Sequence, residues 1–184
     1  MKNLKKIIIL SCFLMIIISL AGCSFLKHLS APDLPSENSQ PLAGGTLYLQ
    51  PEGHALSSDS TFKINLQVTG INELKGYSVI LSYDPALLEV TKIEEGPFLS
   101  NEANTFFYQK ADDEKGTLQI DSALLGPGLT VSGEGMLATL SCKVLKTGSA
   151  ALTFQQVKAR ASGNRSLLPT YQNARIGGKG VESK

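Results

Sequence analysis

Few residues in this sequence combine the types and spacing that catalysis or metal binding requires. The chain contains two histidines and three cysteines. His54 has no second histidine or cysteine at the spacing of zinc ligands, so a surface histidine is the favoured interpretation. Cys142 alternates with apolar neighbours, which predicts a buried and inert thiol rather than a nucleophile. These residues therefore predict neither a metal site nor a nucleophilic centre.

Acidic residues are the remaining candidates for chemistry. The run Asp112–Glu114 could approach a calcium ion, but it lacks the regular ligand spacing of a calcium loop and Lys115 adjoins it, so a solvated hairpin tip is favoured. Any two of the 16 Asp and Glu residues could converge as the carboxylate pair of a glycoside hydrolase, but nothing singles out a pair. We therefore expect a protein that is not an enzyme and has no cofactor.

The charge of the chain gives no electrostatic reason to bind nucleic acid. The formal net charge is +1, with 17 basic and 16 acidic residues, but Lys2, Lys5 and Lys6 lie in a segment that is expected to be removed. Without them 14 basic residues remain, the net charge becomes about −2, and no basic run is present. Tryptophan is absent and aromatic residues make up 7% of the chain, so a wide platform for stacking sugars has little to be built from.

The amino terminus has the pattern of an export signal. Its lysines precede an apolar run from Ile7 to Leu20, and about 14 residues is short for a membrane span, which needs roughly 20. The run ends in Leu20–Cys23, with the sequence LAGC, which resembles the bacterial lipobox. The resemblance implies a lipid on Cys23 and cleavage before it, and an ordinary secretory signal is the alternative. We expect an extracytoplasmic, lipid-anchored protein of the cell envelope.

Composition divides the chain into four parts. Residues 1–22 are expected to be the signal peptide, and residues 23–45 a flexible linker, because prolines occur there among polar residues without apolar periodicity. Residues 46–176 carry the strand patterns of a folded domain. Residues 177–184 are polar and rich in glycine, which predicts a disordered tail.

The clearest strand patterns lie in the first half of this domain. Apolar and polar residues alternate from Phe62 to Thr69, which is typical of a strand with one buried and one solvated face. A second alternating strand ends at Asp84–Pro85, since proline removes a hydrogen-bond donor. Its buried face is expected to hold Val79, Leu81 and Tyr83. Its outward face is expected to hold Gly76, Ser78, Ile80 and Ser82.

Further short strands follow, with turn residues between them. Gly70 and Asn72 are expected to end the first strand in a turn, and the glycines at 126–128 and 133–135 predict a loop-rich stretch. No stretch has a convincing helical period. The expected strands are 46–50, 62–69, 78–83, 87–95, 105–109, 117–125, 136–145 and 150–158. Eight or nine short strands in one domain of this length are typical of two packed sheets. The pattern therefore predicts an all-β fold, a jelly-roll β-sandwich of about nine antiparallel strands.

Several motifs occur in an order that is typical of one family. They are Leu74–Val79, Tyr83–Pro85, Leu88–Val90, Gly96–Leu99, Ala123–Gly126, Val131–Gly135 and Leu137–Leu140. Together they resemble the cohesin family over nearly the whole domain, from Thr46 to about Pro169. The resemblance implies a nine-stranded jelly-roll sandwich, related in fold to certain carbohydrate-binding modules. It also implies binding of dockerins, small calcium-loaded helical modules, in complexes that degrade polysaccharides.

The sequence departs from the family pattern on the strand before Tyr83. Cellulosomal cohesins typically carry there an Asn and an Asp that hydrogen-bond the dockerin helix, whereas the matching positions hold Gly76 and Ser78. Charge-assisted hydrogen bonds contribute on the order of 1.5–3 kcal/mol each, so their loss argues against dockerin binding of that kind. Cellulosomal scaffolds also usually carry several cohesins, whereas this chain is expected to hold one.

Three functions therefore stay open. The first is a cohesin-like adhesive module that binds a protein partner, such as a dockerin-like module, through one sheet face at the cell envelope. Its expected binding residues are Gly76, Ser78, Ile80 and Ser82. The second is a polysaccharide-binding domain, for which the candidate exposed aromatic residues are Tyr77, Phe107 and Tyr108. The third is a structural accessory lipoprotein of a pilus or secretion assembly.

Overall fold

The structure is a computed structural model that describes residues 42–52 and 58–177. They form ten strands, one short α-helix, α1 (Pro97–Ser100), and a 3₁₀ turn at Ser162–Asn164. None of the helices within this part of the chain is long and apolar enough to cross a membrane. The strands are β1 (Leu42–Glu52), β2 (Thr61–Leu74), β3 (Gly76–Ser82), β4 (Leu88–Glu95), β5 (Thr105–Asp112), β6 (Thr117–Leu124), β7 (Val131–Val144), β8 (Ala150–Arg160), β9 (Ser166–Gln172) and β10 (Ala174–Ile176).

The strands build a jelly-roll β-sandwich of two layers. The β2 layer has the strand order β4-β7-β2-β1-β9, and the β3 layer has the order β8-β3-β6-β5. A short pairing of β8 with β9 continues the path from one layer to the other, and β10 also pairs with β8. At the opposite side the carboxylate of Glu95 on β4 accepts hydrogen bonds from Ser122 (3.0 Å) and Thr105 (2.9 Å). This carboxylate therefore links the two layers where their edge strands meet.

The first strand differs from the sequence-based prediction in two ways. It pairs with β9 in parallel, whereas only antiparallel strands are expected from the sequence. A parallel pair needs a long connection, and the whole domain separates these two strands. β1 also begins at Leu42 rather than Thr46, because Leu42 and Ala43 pair with β9 although their sequence has no strand periodicity. Gly44 permits this approach, since an added Cβ would lie 2.3 Å from the backbone nitrogen of Pro169.

Two predicted loops are instead parts of strands. β2 continues to Leu74, past the turn expected at Gly70, where its pairing with β7 shifts register and φ is +65°. β7 begins at Val131 and includes the glycine-rich segment Gly133–Gly135, which is expected to be a loop. Glycine is read as a turn signal in the sequence, but here it occurs at irregular positions inside paired strands.

The core lies between the layers and is filled by the alternating residues of the strands. Ile64, Leu66 and Val68 on β2 are fully buried, as are Val79 and Leu81 on β3, which confirms the predicted inward faces. The buried side chains of both layers form one continuous hydrophobic cluster. Each layer therefore has one outward face, and the functional site must be sought on these two surfaces.

Candidate partner-binding face

The outward face of the β2 layer is a polar surface whose groups bond one another. The side-chain amide of Asn65 donates to Glu52 (2.8 Å) and accepts from the hydroxyl of Thr139 (3.0 Å). On the next row the hydroxyl of Tyr48 donates to the amide oxygen of Gln67 (3.2 Å). These hydrogen bonds cross β1, β2 and β7, so a partner would have to compete with bonds that already exist.

A wide groove of about 630 Å³ lies on the same face, near the strand ends. It is lined by Thr61, Lys63, Lys92 and Ser141 among others. The ammonium group of Lys92 forms an ion pair with Glu94 (2.6 Å), and this pairing lowers the pKa of Glu94. This groove is larger than the one described next, but the ammonium group of Lys92 is already paired and its aromatic residue, Phe62, packs against the core, so we do not favour it as a binding site.

The outward face of the β3 layer is organised in rows across four strands. The pairing of β8, β3, β6 and β5 sets these rows. Listed from β8 to β5, the first three rows are Arg160, Gly76, Ala123 and Phe106; Lys158, Ser78, Asp121 and Tyr108; and Gln156, Ile80, Gln119 and Lys110. The central positions of the first row carry almost no side chain, whereas its two ends carry long ones.

This contrast in size creates an open groove, here called the β3–β6 groove, of about 340 Å³. Its floor includes Gly76, Ser78 and Ala123. Phe106 stands on the β5 side, and Lys158 and Arg160 stand on the β8 side. The groove therefore has an aromatic wall, a cationic wall and a floor of small residues.

The four residues that the sequence predicts as partner-binding are not equivalent in the structure. Ser78, Ile80 and Ser82 are half-buried on the outward face, whereas Gly76, expected to face outward, is buried. Gly76 has no side chain to project, and an added Cβ would lie 2.8 Å from the Ser122 carbonyl oxygen and 2.9 Å from the Ala123 Cβ. Only Gly76 and Ser78 line the groove.

The other two predicted residues lie towards the far end of the face. The hydroxyl of Ser82 is 2.8 Å from that of Thr153 and accepts a hydrogen bond of 2.8 Å from the amide of Gln155. Ile80 has Gln156 and Gln119 as its neighbours across the row. The predicted residues thus share a face, but the groove occupies only its Gly76 end.

Asp121 is the acidic residue of the groove. One carboxylate oxygen accepts a hydrogen bond of 2.6 Å from the amide of Gln119. The other oxygen is buried and has no hydrogen-bond partner among the described residues. A buried acceptor without a donor costs about 1–3 kcal/mol, so Asp121 is a costly residue at this position.

The cations around the groove outnumber its carboxylates. The Lys75 ammonium group donates to the carbonyl oxygen of Gly126, and the Arg160 guanidinium group donates to the hydroxyl of Ser166. The ion pairs found within residues 42–52 and 58–177 do not include Lys75, Lys158 or Arg160. This end of the face has three cationic side chains and one carboxylate, that of Asp121, so it carries an excess of positive charge.

The exposed apolar residues concentrate at the same end. Seven large apolar side chains are exposed in the described part of the chain, and four of them belong to β5 or to the loop after β6. These four are Phe106, Tyr108, Leu125 and Leu129. Of the aromatic residues proposed for sugar binding, only Tyr108 is exposed, since Tyr77 is buried and Phe107 packs against the core. Strand alternation on β5 indicates Phe106 as the outward residue, but only the register places it beside the groove.

The remaining candidates for chemistry are structural or lie outside the described residues. His54 and Cys23 are outside them. Cys142 is buried, and burial raises the pKa of its thiol to about 12. Asp112 accepts bonds from the backbone and side chain of Lys115, which lower the pKa of its carboxyl group, so it stabilises a turn. Within the described residues, no group of three or more His, Cys, Asp or Glu side chains could hold a metal ion.

Comparison with known proteins identifies the family. The family model described as "Cohesin domain" matches residues 52–172, about two thirds of the chain. The chain belongs to the cohesin family. No curated protein was found to match the sequence of this cohesin.

Solved structures share the fold of this cohesin at low sequence identity. A non-cellulosomal cohesin from Archaeoglobus fulgidus is 20% identical with a TM-score of 0.61, and the match covers 73% of this chain and 90% of that one. The second type II cohesin module of the ScaA scaffoldin of Acetivibrio cellulolyticus is 13% identical with a TM-score of 0.68, covering 77% and 94%. A type I cohesin–dockerin complex from Clostridium thermocellum matches with 15% identity and a TM-score of 0.60, covering 75% and 96%.

Proposed function

We propose that this cohesin is a non-catalytic module that docks a protein partner of the dockerin kind through the outward face of its β3 layer. The observation that carries the proposal is the β3–β6 groove, which combines a floor of small residues with an aromatic and a cationic wall. Cohesins of the same fold have been solved as complexes with dockerins from Acetivibrio cellulolyticus and Clostridium thermocellum. The family therefore supports the kind of partner, and the groove supports the face.

The dimensions of the groove suit a helix. Its two walls stand on β8 and β5, which are three strand spacings apart, and strands lie about 4.8 Å from one another, so the walls are about 14 Å apart. An α-helix with its side chains is roughly 10–12 Å wide. A helix that lies on β3 and β6 would touch the small residues of the floor and both walls.

Gly76 and Ser78 change how such a helix would be held. A floor without Asn and Asp side chains gives few hydrogen bonds, but it lets the backbone of a partner approach closely. Binding energy would then come from the walls, where Phe106 is 54% exposed and loses that apolar surface on contact. We expect the specificity of this cohesin to differ from that of cohesins with a polar floor.

A binding measurement with matched variants tests the proposal. The full chain, kept in mild detergent because of its apolar amino terminus, is titrated calorimetrically in calcium buffer. The titrants are the Acetivibrio cellulolyticus X-dockerin and the Clostridium thermocellum dockerin Doc435. Ser78→Tyr fills the groove, and Ser141→Tyr places the same ring on the outward face of the other layer, where Ser141 is also half-buried.

We expect one dockerin or more to bind, Ser78→Tyr to weaken binding by about tenfold or more, and Ser141→Tyr to change it by less than about twofold. The proposal is wrong if neither dockerin binds. It is also wrong if Ser141→Tyr abolishes binding while Ser78→Tyr does not.

We also propose that Cys23 carries a lipid that anchors the module to the cell envelope on the extracytoplasmic side. Support comes from the lysine-rich start, the short apolar run and the sequence LAGC. Intact-mass spectrometry of the membrane fraction should detect acylated Cys23 as the first residue, and Cys23→Ala should leave the unlipidated precursor. Recovery of a soluble mature chain that begins at another residue would contradict this anchoring.

Polysaccharide binding has less support as a second function. Phe106 and Tyr108 are exposed on the same face of β5, but both lie on one edge strand. Phe106 forms one wall of a groove rather than part of a flat platform, and the opposite wall is cationic. A sugar ligand therefore serves as a competing outcome in the experiments below.

A further inference from the structure

The two walls of the β3–β6 groove differ in chemistry, and this difference constrains what the partner must present. On the β8 side stand Lys158 and Arg160, both exposed, and Lys75 lies at the same end. On the β5 side stand Phe106 and Tyr108, and the backbone N–H of Leu125, in the loop after β6, donates to Asn104 just before β5. A helix between the walls would meet cations along one side and apolar surface along the other.

We propose that the partner segment is an amphipathic helix with carboxylates along the side that faces β8 and apolar residues along the side that faces β5. This inference rests on the proposed function and names the chemistry of its partner. The carboxylates would form charge-assisted hydrogen bonds with the Arg160 guanidinium and Lys158 ammonium groups, neither of which is in an ion pair within residues 42–52 and 58–177. The apolar side would cover the Phe106 ring.

Asp121 sets the polarity of the floor and is consistent with this orientation. Its carboxylate lies one strand away from Tyr108 and two strands away from Lys158, on the β5 side of Ser78. A carboxylate of the partner above β8 would thus be nearer to the two cations than to Asp121.

The test uses three alanine-based helical peptides of about 18 residues, each with leucines along one side. The opposite side carries glutamate, glutamine or lysine. Binding of each labelled peptide to the full chain is measured by fluorescence anisotropy, and labelled cellohexaose is the sugar probe in the same assay. The variants are the double substitution Lys158→Glu with Arg160→Glu, and a matched control on the other layer, Lys63→Glu with Lys92→Glu, where both lysines are exposed. Thermal melts of all proteins confirm folding.

We expect the wild-type chain to bind the glutamate helix on the order of tenfold more tightly than the lysine helix, with the glutamine helix between them. The groove double variant should reverse this order, and the control should keep it. Higher salt should weaken the preference, because the cations are exposed. Phe106→Ala should weaken the binding of all three peptides to the same extent. If the groove double variant does not fold, Lys158→Gln with Arg160→Gln should abolish the preference.

Equal binding of the three helices, including no detectable binding of any, would overturn the inference. So would a glutamate preference that survives charge reversal in the groove, or selective binding of the lysine helix or of cellohexaose. If a dockerin binds and Ser78→Tyr blocks that binding, but the three helices bind equally, the proposed charge pattern of the partner is wrong and the proposed function stands. Loss of the proposed function is recognised separately, by the absence of dockerin binding.

Discussion

Tyr77 shows how one residue can be placed by its strand pattern and still be assigned the wrong role. It shares the inward phase of Val79 and Leu81, and its side chain is only 5% exposed, so it is unavailable to stack on a sugar. Its hydroxyl crosses the sandwich and donates to the carbonyl oxygen of Leu137 on β7 (3.0 Å). Burial raises the pKa of Tyr77 far above its usual value, and the carboxylates of Glu95 and Asp121 raise it further. The phenol therefore stays neutral and joins the layers.

Replacement of Tyr77 by phenylalanine isolates this hydrogen bond. The Leu137 carbonyl would keep its second bond, from the backbone N–H of Gly96 (2.9 Å), so no acceptor is left without a donor. We expect Tyr77→Phe to lower the free energy of unfolding by about 0.5–1.5 kcal/mol. Denaturant titration measures this change in the free energy of unfolding. Tyr108→Phe is the exposed control, and it should change the free energy of unfolding by less than about 0.5 kcal/mol. Equal effects of the two substitutions would show that the bond between the layers contributes nothing.

At the scale of elements, side-chain alternation predicts a strand well but its partners poorly. The inward faces of β2 and β3 follow from period two, and the structure confirms them. The parallel pairing of β1 with β9 depends on residues more than 100 positions apart. The Leu42–Gly45 segment becomes strand because β9 lies beside it, whereas its own composition predicts a linker. Local patterns do not contain this information, because it arises from tertiary contacts.

The predicted inward faces can be tested by truncation of Leu66 and Leu81. Both side chains are fully buried between the layers. We expect Leu66→Ala and Leu81→Ala each to lower the free energy of unfolding by roughly 2–5 kcal/mol, because each leaves a cavity in a packed core. Leu168→Ala is the control, since Leu168 is 64% exposed on β9, and its effect should stay below about 0.5 kcal/mol. If Leu66→Ala or Leu81→Ala changed the free energy of unfolding by less than about 0.5 kcal/mol, the strand that carries that leucine would have a different register.

On the scale of the whole molecule, the two outward faces are used differently. The β2 layer bonds its polar side chains to one another, whereas the β3 layer carries three cations that are in no ion pair among the described residues, beside a group of exposed apolar side chains. A surface with uncompensated positive charge beside exposed apolar side chains is the better candidate for an interface. This difference is why we propose the outward face of the β3 layer as the partner-binding face.

The sequence could predict part of that face. Alternation puts Ser78, Ile80 and Ser82 outward on β3, and the structure agrees. The walls could not be predicted in the same way, because they stand on β5 and β8, and the register of β8 against β3 shifts between Ile80 and Leu81. Phe106 and Arg160 are thus brought to opposite ends of one row by pairings that only the folded chain defines.

We propose that a partner docks at the Gly76 end of the β3-layer outward face. It is tested most directly by mapping the contact on the chain itself. The isotope-labelled full chain in detergent micelles is titrated with the tightest-binding dockerin, and amide chemical shifts are followed by NMR. We expect the largest chemical-shift changes at Ser78, Asp121, Ala123, Phe106 and Lys158. The shifts of Asn65, Gln67 and Ser141 should stay unchanged within error. Large changes on Asn65, Gln67 and Ser141, with the β3–β6 groove unaffected, would contradict it.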